Sequence, residues 1–346
     1  MASMTNRERV LAVFTGELPD RVPYTETSID QAVYDRLLGR VGADSPDYEP
    51  KEDAAIAVSD QLAANPILHR DTLVYRLAPP TPARQVQGAQ NLRFYADGAL
   101  KTWDDLEVLR LPDLSSDEVR APIRSFMAQR SDYATILSTR VGISATYLAM
   151  GMEHFFLSLV DDPALVSEIM RRYARWAADA VHLAADLGFD ILQTSDDIAG
   201  KNGIFWSPAL FDEVVWPHVR VVADAVRETS LFWTFHTDGD VGKVLPDLVR
   251  FGITALNPIE PACMEIREVR EAFPNLTLIG NVDVDLLTRG TPREVRATVR
   301  TLIRDLGPHG RYAVASGNSI ARYCKLENVR AMADAVAEFG DLRVAA

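Results

Sequence analysis

The stretch LFWTFHTDGD, residues 231–240, decides how the rest of the chain is read. Residues 231–235 form a short run of apolar, β-prone side chains, the pattern of a strand buried in a parallel sheet. The run then breaks into His236, Thr237, Asp238, Gly239 and Asp240. α/β barrels and open α/β sheets place their chemistry at this end of their strands. His236 and Asp238 are two residues apart, so on a strand they share a face. Such a pair can ligate a metal or work as an acid–base couple.

On both sides of this stretch the same alternation repeats. Upstream, apolar strand-like runs occupy residues 21–28, 72–79, 133–140 and 189–197; downstream they occupy 253–260, 276–283 and 311–318. Helical patterns fill the intervals. The first is opened by Thr5 with Glu8 as a capping box and turns Val10, Leu11 and Phe14 inward. Helices are expected over 30–38, 52–63 and 115–129, and a Gly-containing segment follows at 141–156. The strongest helical pattern has Asp161 and Asp162 as caps, Pro163 at its first position and Gly188 as its stop. Ser207-Pro208 opens a helix to about residue 229 that Pro217 kinks. Further helices read as 241–250, 263–273, Thr291-Pro292 to Gly307, and 325–339. Eight strand-then-helix units predict a closed (β/α)8 TIM barrel, one domain over residues 1–346. Residues 81–103 differ: QNLRFYADGALKTW alternates around Asp97-Gly98 and reads as a β-hairpin inserted between barrel strands two and three.

Composition narrows the function. With 36 Lys and Arg against 49 Asp and Glu the net charge is −13, which disfavours nucleic acid and anionic lipid as partners. No apolar run reaches membrane-spanning length. Two cysteines, Cys263 and Cys324, without regular spacing imply no disulfide framework, and the chain reads as cytoplasmic. A small-molecule substrate is the expected partner, with a homodimer as an assembly open to such a barrel.

The strand ends collect Glu26, Arg140, Asp196 and Asp197, His236 with Asp238, Asn257 with Glu260, Asn281 with Asp283, and Ser316 with Asn318. In a barrel these converge on one mouth. So many carboxylates around one histidine call for a shared cation or for raised carboxyl pKa values. His236 and Asp238 are the expected metal ligands, completed by Asn318, Glu260 or Cys324; such a set suits Zn²⁺, Mn²⁺ or Fe²⁺. Adjacent strand residues face opposite ways, so one of Asp196 and Asp197 enters the mouth, and Asp196 is favoured as the general acid or base. Glu26, Arg140, Asn257 and Asn281 are candidates for substrate binding. For Asp283, Asp161 and Asp240 a capping role is expected.

These pieces, in their order and spacing, carry a resemblance. MTNRERVLAVFTGELPDRVP, DILQTSDDIAGKNGIFWSPALF, HTDGD, GITALNPIE, LIGNVDVDLLTRGTPREV and SGNSI with LENVRAM resemble the uroporphyrinogen decarboxylase superfamily, which includes zinc-dependent corrinoid methyltransferases. The resemblance implies the (β/α)8 barrel. The haem-pathway decarboxylases carry an Arg-rich opening that clamps propionates; here the region reads PYTETSID. The methyltransferase branch holds zinc with His-x-Cys and a later Cys; here the matching positions are His236-x-Asp238 and, near the late cysteine, Asn318. Loss of the thiolates argues against a thiol acceptor. It leaves demethylation of a methoxy or methylamine compound, with a metal, zinc in the family, polarising the departing atom. The corrinoid-binding motif Asp-x-His-x-x-Gly is not found, so on this reading the corrinoid arrives on a partner protein and docks over the small-residue loop 142–151. The alternative implied by the resemblance is a metal-free decarboxylase in which Asp196 and Tyr147 assist protonation before loss of CO₂.

Overall fold

Seven of the apolar runs form one parallel sheet. The computed structural model describes residues 3–40, 42, 56–87 and 93–343. Its strands are β1 (Thr72–Arg76), β2 (Ala83–Gln87), β3 (Arg93–Gly98), β4 (Ala134–Thr139), β5 (Ile191–Ser195), β6 (Ala199–Gly200), β7 (Gly203–Ile204), β8 (Phe232–His236), β9 (Ala255–Asn257), β10 (Thr277–Ile279) and β11 (Tyr312–Ala313). The large sheet has the order β1-β4-β5-β8-β9-β10-β11, every pair parallel and each neighbour reached through helical chain. This curled sheet is consistent with a TIM barrel.

The first expected stave, residues 21–28, is not a regular strand. Pro23 has no N–H to give to a ladder, so the segment makes isolated bridges instead. It nonetheless bonds both sheet edges. Val314 donates to the Pro23 carbonyl and Thr25 to the Val314 carbonyl, at 2.9 and 3.0 Å, while Asp71, just before β1, donates to the Tyr24 carbonyl at 2.9 Å.

Strand parity explains the core. On one face of the sheet, Ala134, Ile136, Ile191, Ala255, Ile279 and Ala313 cluster with Val10, Val13 and Phe14 of the helix Asn6–Thr15. On the other face, Leu137, Leu192, Trp233, Phe235, Leu256 and Leu278 pack in the large core shared with the outer helices. The first helix therefore stoppers the end of the sheet where the strands begin. Its capping box of Thr5 and Glu8 forms as expected, but Val13 rather than Leu11 is among its fully buried residues. Thr277 and Arg311 donate to the carbonyls of Val13, Phe14 and Thr15 at 2.8–3.0 Å. Arg9 adds ion pairs to Asp20 at 2.7 Å and to the fully buried Asp71 at 2.8 Å, and Arg21 also holds Asp71. Removing one member of such a buried set costs roughly 3–5 kcal/mol because the partner charge stays behind.

Several local expectations shift. The Gly-containing segment, read as a loop over 142–151, is a helix, Ile143–Met150, followed at Gly151 by a second helix, Met152–Asp161, turned by 100°. Its small residues, Ala145 and Ala149, are buried against neighbours rather than left open. Asp162 alone caps the helix Pro163–Asp186, accepting from the Leu165 N–H at 3.1 Å, whereas Asp161 ends the preceding helix. Asp283 caps Val284–Arg289 as expected; the Asp240 side chain accepts from the Gly242 N–H, and the helix expected at 241 begins with Leu245–Phe251. The helix from Pro208 is broken by a wide turn at Phe211–Val215 before Trp216–Arg227, which accommodates Pro217. The helix expected at 52–63 is Val58–Leu68; residues 51–55 lie outside the described ones.

β2 and β3 pair antiparallel, but Asp97 and Gly98 do not form the turn. They sit opposite Arg84 and Ala83 at the far end of the ribbon, and the connecting residues 88–92 lie outside the described ones. The glycine is there for contact. A Cβ on Gly98 would lie 2.2 Å from the Gly151 nitrogen, so the two backbones touch. Tyr95 and Lys101 fasten the ribbon to the helix Ile143–Met150 through the carbonyls of Leu148 and Met150. Among the described residues no single helix is long and apolar enough to cross a membrane.

Candidate active site at the strand ends

Parity also decides which polar residues meet. On β8, His236 shares a face with Thr234; on β5, Gln193 and Ser195 share a face, and Asp197 continues it. β5 and β8 are in register, Ser195 beside His236, and β8 and β9 place His236 beside Asn257. Asp197 thus enters the cleft and the neighbouring Asp196 does not. Asp196, favoured from sequence as the acid or base, is fully buried. Its carboxylate accepts from the N–H groups of Val141, Gly142 and Ser144 at 2.5, 3.3 and 2.8 Å and from the Ser144 hydroxyl at 3.1 Å. Burial pushes its pKa up, and the hydrogen bonds from Ser144 and Val141 and the charge of Arg140 oppose that push. Asp196 organises the turn into the helix Ile143–Met150.

The centre of the site is Asp197, His236 and Asp238. One potential ligand atom from each lies within 4.8 Å of the others. His236 Nδ1 is 2.7 Å from Asn257 Oδ1, and Asn257 Nδ2 donates to the Ile279 carbonyl at 3.3 Å. With its amide oriented this way, Asn257 accepts from Nδ1–H, which leaves Nε2 with its lone pair facing the cleft. Asp238 is held on one side only. Its Oδ2 accepts from Asn318 Nδ2 at 2.7 Å; its Oδ1 is buried, has no hydrogen-bond partner among the described residues and lies 3.8 Å from His236 Nε2. The Asp238 N–H donates to Asp197 Oδ1 at 3.1 Å. Burial, the charge of Asp197 and, after the opposing effect of His236, Glu260 push the Asp238 carboxyl up to about 6.

The other candidates spread more widely. Tyr147 and Arg140 line the cleft, and so does Asn318. The Tyr147 hydroxyl donates to the Asp197 carbonyl at 3.3 Å, and burial, then Asp197, raises this phenol well above its usual range. Glu260 stands just outside the cluster, accepting from the Gly239 N–H at 2.8 Å and the Cys263 thiol at 3.4 Å. Asn257 supports His236 from behind rather than lining the cleft. Asn281 donates to the Ile259 carbonyl and borders a separate surface hollow with Pro261 and Met264. Glu26 is turned away into the protein, accepting from the Ser316 N–H at 2.9 Å and hydroxyl at 3.0 Å. Cys324 is buried beside Thr288 and does not line the cleft. The cleft encloses about 280 Å³. Gln193 and Ser138 also line it and were missed from sequence; both lie on the inward parity of strands whose ends were read only for charge.

A curled parallel sheet, stoppered where its strands begin and polar where they end, defines an α/β protein with a site at the strand C-termini. Residues 97–339 match the family model described as uroporphyrinogen decarboxylase (URO-D), and the chain belongs to that family. A curated relative, the uroporphyrinogen decarboxylase of Anaeromyxobacter dehalogenans (strain 2CP-C), is 26% identical over 251 residues, covering 70% of each chain. Among solved structures, a methyltransferase from Methanosarcina mazei superposes with a TM-score of 0.75 at 19% identity, covering 97% of this chain and 99% of that one. At that identity the likeness speaks for the fold.

Proposed function

We propose that this chain is a metal-assisted methyltransferase that moves a methyl group from a small methoxy or methylamine compound to a corrinoid on a partner protein. The observation that carries the reading is the Asp197–His236–Asp238 cluster, with one carboxylate oxygen of Asp238 buried and, among the described residues, without a hydrogen-bond partner, 3.8 Å from Nε2 of His236. An orphaned buried carboxylate oxygen is costly unless something binds it. These donors fit a divalent cation: Asp197, His236 and Asp238 would hold it, Asn257 and Asn318 orienting the latter two. Nitrogen and oxygen donors without thiolate suit Zn²⁺, Mn²⁺ or Fe²⁺. Bound there, the cation supplies Lewis acidity toward the departing oxygen or nitrogen. The similarity to a methyltransferase fold over nearly the whole chain supports the same reading.

The chain's own residues do the rest. When the C–O or C–N bond breaks, its electron pair stays on the heteroatom, which then takes a proton. Asp197 is committed to the cation, so solvent water reaching the cleft supplies that proton. Tyr147 closes one wall and holds the Asp197 backbone through its carbonyl. A corrinoid carried on a partner protein would supply the electron pair that receives the methyl group. About 280 Å³ lies just below the roughly 300–1,000 Å³ of pockets for drug-sized ligands, so a small substrate fits.

Elemental analysis of the purified protein and of His236→Ala tests the reading, alongside methylation of cob(I)alamin followed by its visible spectrum. Wild type is expected to carry close to one divalent metal per chain, the variant little, and methylation to follow the metal. Full methylation activity in metal-free wild type rejects the assignment. The decarboxylase relative favours a second reading, loss of CO₂ from a small carboxylate with the cleft-facing Asp197, rather than the buried Asp196, and Tyr147 managing the proton. Metal-independent release of CO₂ would establish it.

A further inference from the structure

We propose that Arg140 anchors a carboxylate, so that the cleft takes a small methylated compound bearing an acid group at the end remote from the reacting methyl. The proposal rests on the methyl-transfer reading for the chemistry at the other end. Arg140 follows β4 on the parity of Ala134, Ile136 and Ser138, and both Ser138 and Arg140 line the cleft. Among the described residues its guanidinium makes no hydrogen bond and no ion pair. Asp196 is close enough to interact electrostatically, but its hydrogen bonds go to residues 141, 142 and 144. Among the described residues its five N–H donors thus have no assigned acceptor, and the residue lines the cavity. A guanidinium in that position matches a carboxylate in bidentate fashion.

The neighbours extend the same chemistry. Ser138, in register with Arg76 of β1, lines the same space and adds a hydroxyl beside the Arg140 cation. The register Thr139 beside Thr194 and Ser195 beside His236 puts Arg140, Ser195 and His236 on one tier. Two strand spacings, roughly 10 Å between backbones, then separate the basic wall from the metal-competent wall. A ligand with an acid at one end and an O-methyl or N-methyl at the other spans that gap. In a chain of net charge −13, a local cationic wall is also what allows an anion to enter an otherwise acidic mouth.

The test is equilibrium binding by calorimetry with two series of probes. One contains methoxyacetate, methoxyacetamide and butyrate; the other contains 4-methoxybenzoate, 4-methoxybenzamide and 4-ethylbenzoate. In at least one series the acids, with or without a transferable methyl, are expected to bind wild type at least tenfold more tightly than the amide. Arg140→Gln is expected to abolish that preference, Arg140→Lys to restore part of it, and His236→Ala to leave it in place. Equal binding of acid and amide in both series, no binding in either, or a preference that survives Arg140→Gln overturns the proposal. The underlying reading fails separately. If butyrate or 4-ethylbenzoate binding depends on Arg140 but no methoxy compound methylates cob(I)alamin, the anchor stands and methyl transfer falls. If the neutral amide donates its methyl as readily as the acid, methyl transfer stands and the anchor falls.

Discussion

Replacing Glu26 by Gln isolates the energetic consequence of a buried carboxyl beside the strand ends. Glu26 is 1% exposed, and burial raises its pKa from the ordinary 4.5 to about 7 despite two hydrogen bonds from Ser316 and the nearby charge of Arg70. The folded chain therefore keeps a proton that the unfolded chain releases above 4.5. The stability from this group is complete below 4.5, falls as pH rises from 4.5 to 7, and is flat above. At about 1.4 kcal/mol per pH unit, the gap amounts to roughly 3 kcal/mol. Gln is isosteric and cannot ionise. Its carbonyl can accept the Ser316 N–H, and its amide can donate to the Ser316 hydroxyl. Urea denaturation followed by circular dichroism at pH 5 and pH 8 gives the comparison. The variant should exceed wild type by about 1 kcal/mol at pH 5 and roughly 3 kcal/mol at pH 8. An advantage that does not grow between the two pH values refutes the reasoning. Because Glu26 points away from the cleft, substrate KM is expected to be unchanged.

Asp196→Ala strands the N–H groups of Val141, Gly142 and Ser144, each worth about 1–3 kcal/mol when buried and unpaired. It should lower stability by several kcal/mol in urea denaturation, while Asp197→Ala should fold normally and lose bound metal. Asn257→Ala frees the His236 ring from its orienting acceptor and should weaken metal affinity about 10- to 100-fold in chelator competition, with little change in fold. Gly98→Ala forces a methyl group against the Gly151 backbone and should cost at least about 1–3 kcal/mol, seen as faster limited proteolysis of the ribbon.

The alternation of strands and helices was legible because most of the strand cores are short apolar runs bounded by caps and glycines. The irregular stave at 21–28 was not, because Pro23 and the bridges it permits are set by neighbours far along the chain. The segment 141–156 misled for a similar reason. Its glycines mark both ends of a buried helix, and only the packing of Ala145 and Ala149 distinguishes that from a loop. At the site, the pairing of His236 with Asp238 follows from their spacing and a strand. The choice between Asp196 and Asp197 needed to know which parity faces inward, and Ile191, Gln193 and Ser195 carried that answer. Asn257 stood at the correct strand end, but its role behind His236 depends on register between β8 and β9, which no local pattern encodes. Asp97-Gly98 has the composition of a hairpin turn, yet the glycine is required by the close approach of Gly151.

The helix Asn6–Thr15 makes the molecule a cup rather than a tube. With Val10, Val13 and Phe14 seated in the base, solvent and ligands share the rim around Asp238 and Arg140. On the methyl-transfer reading, a macromolecular acceptor must settle over the very opening through which the donor arrives. Loading then precedes docking, and the demethylated product leaves only after the lid-like partner departs. Turnover would be ordered, and an excess of the acceptor protein would slow the reaction by sealing empty cups.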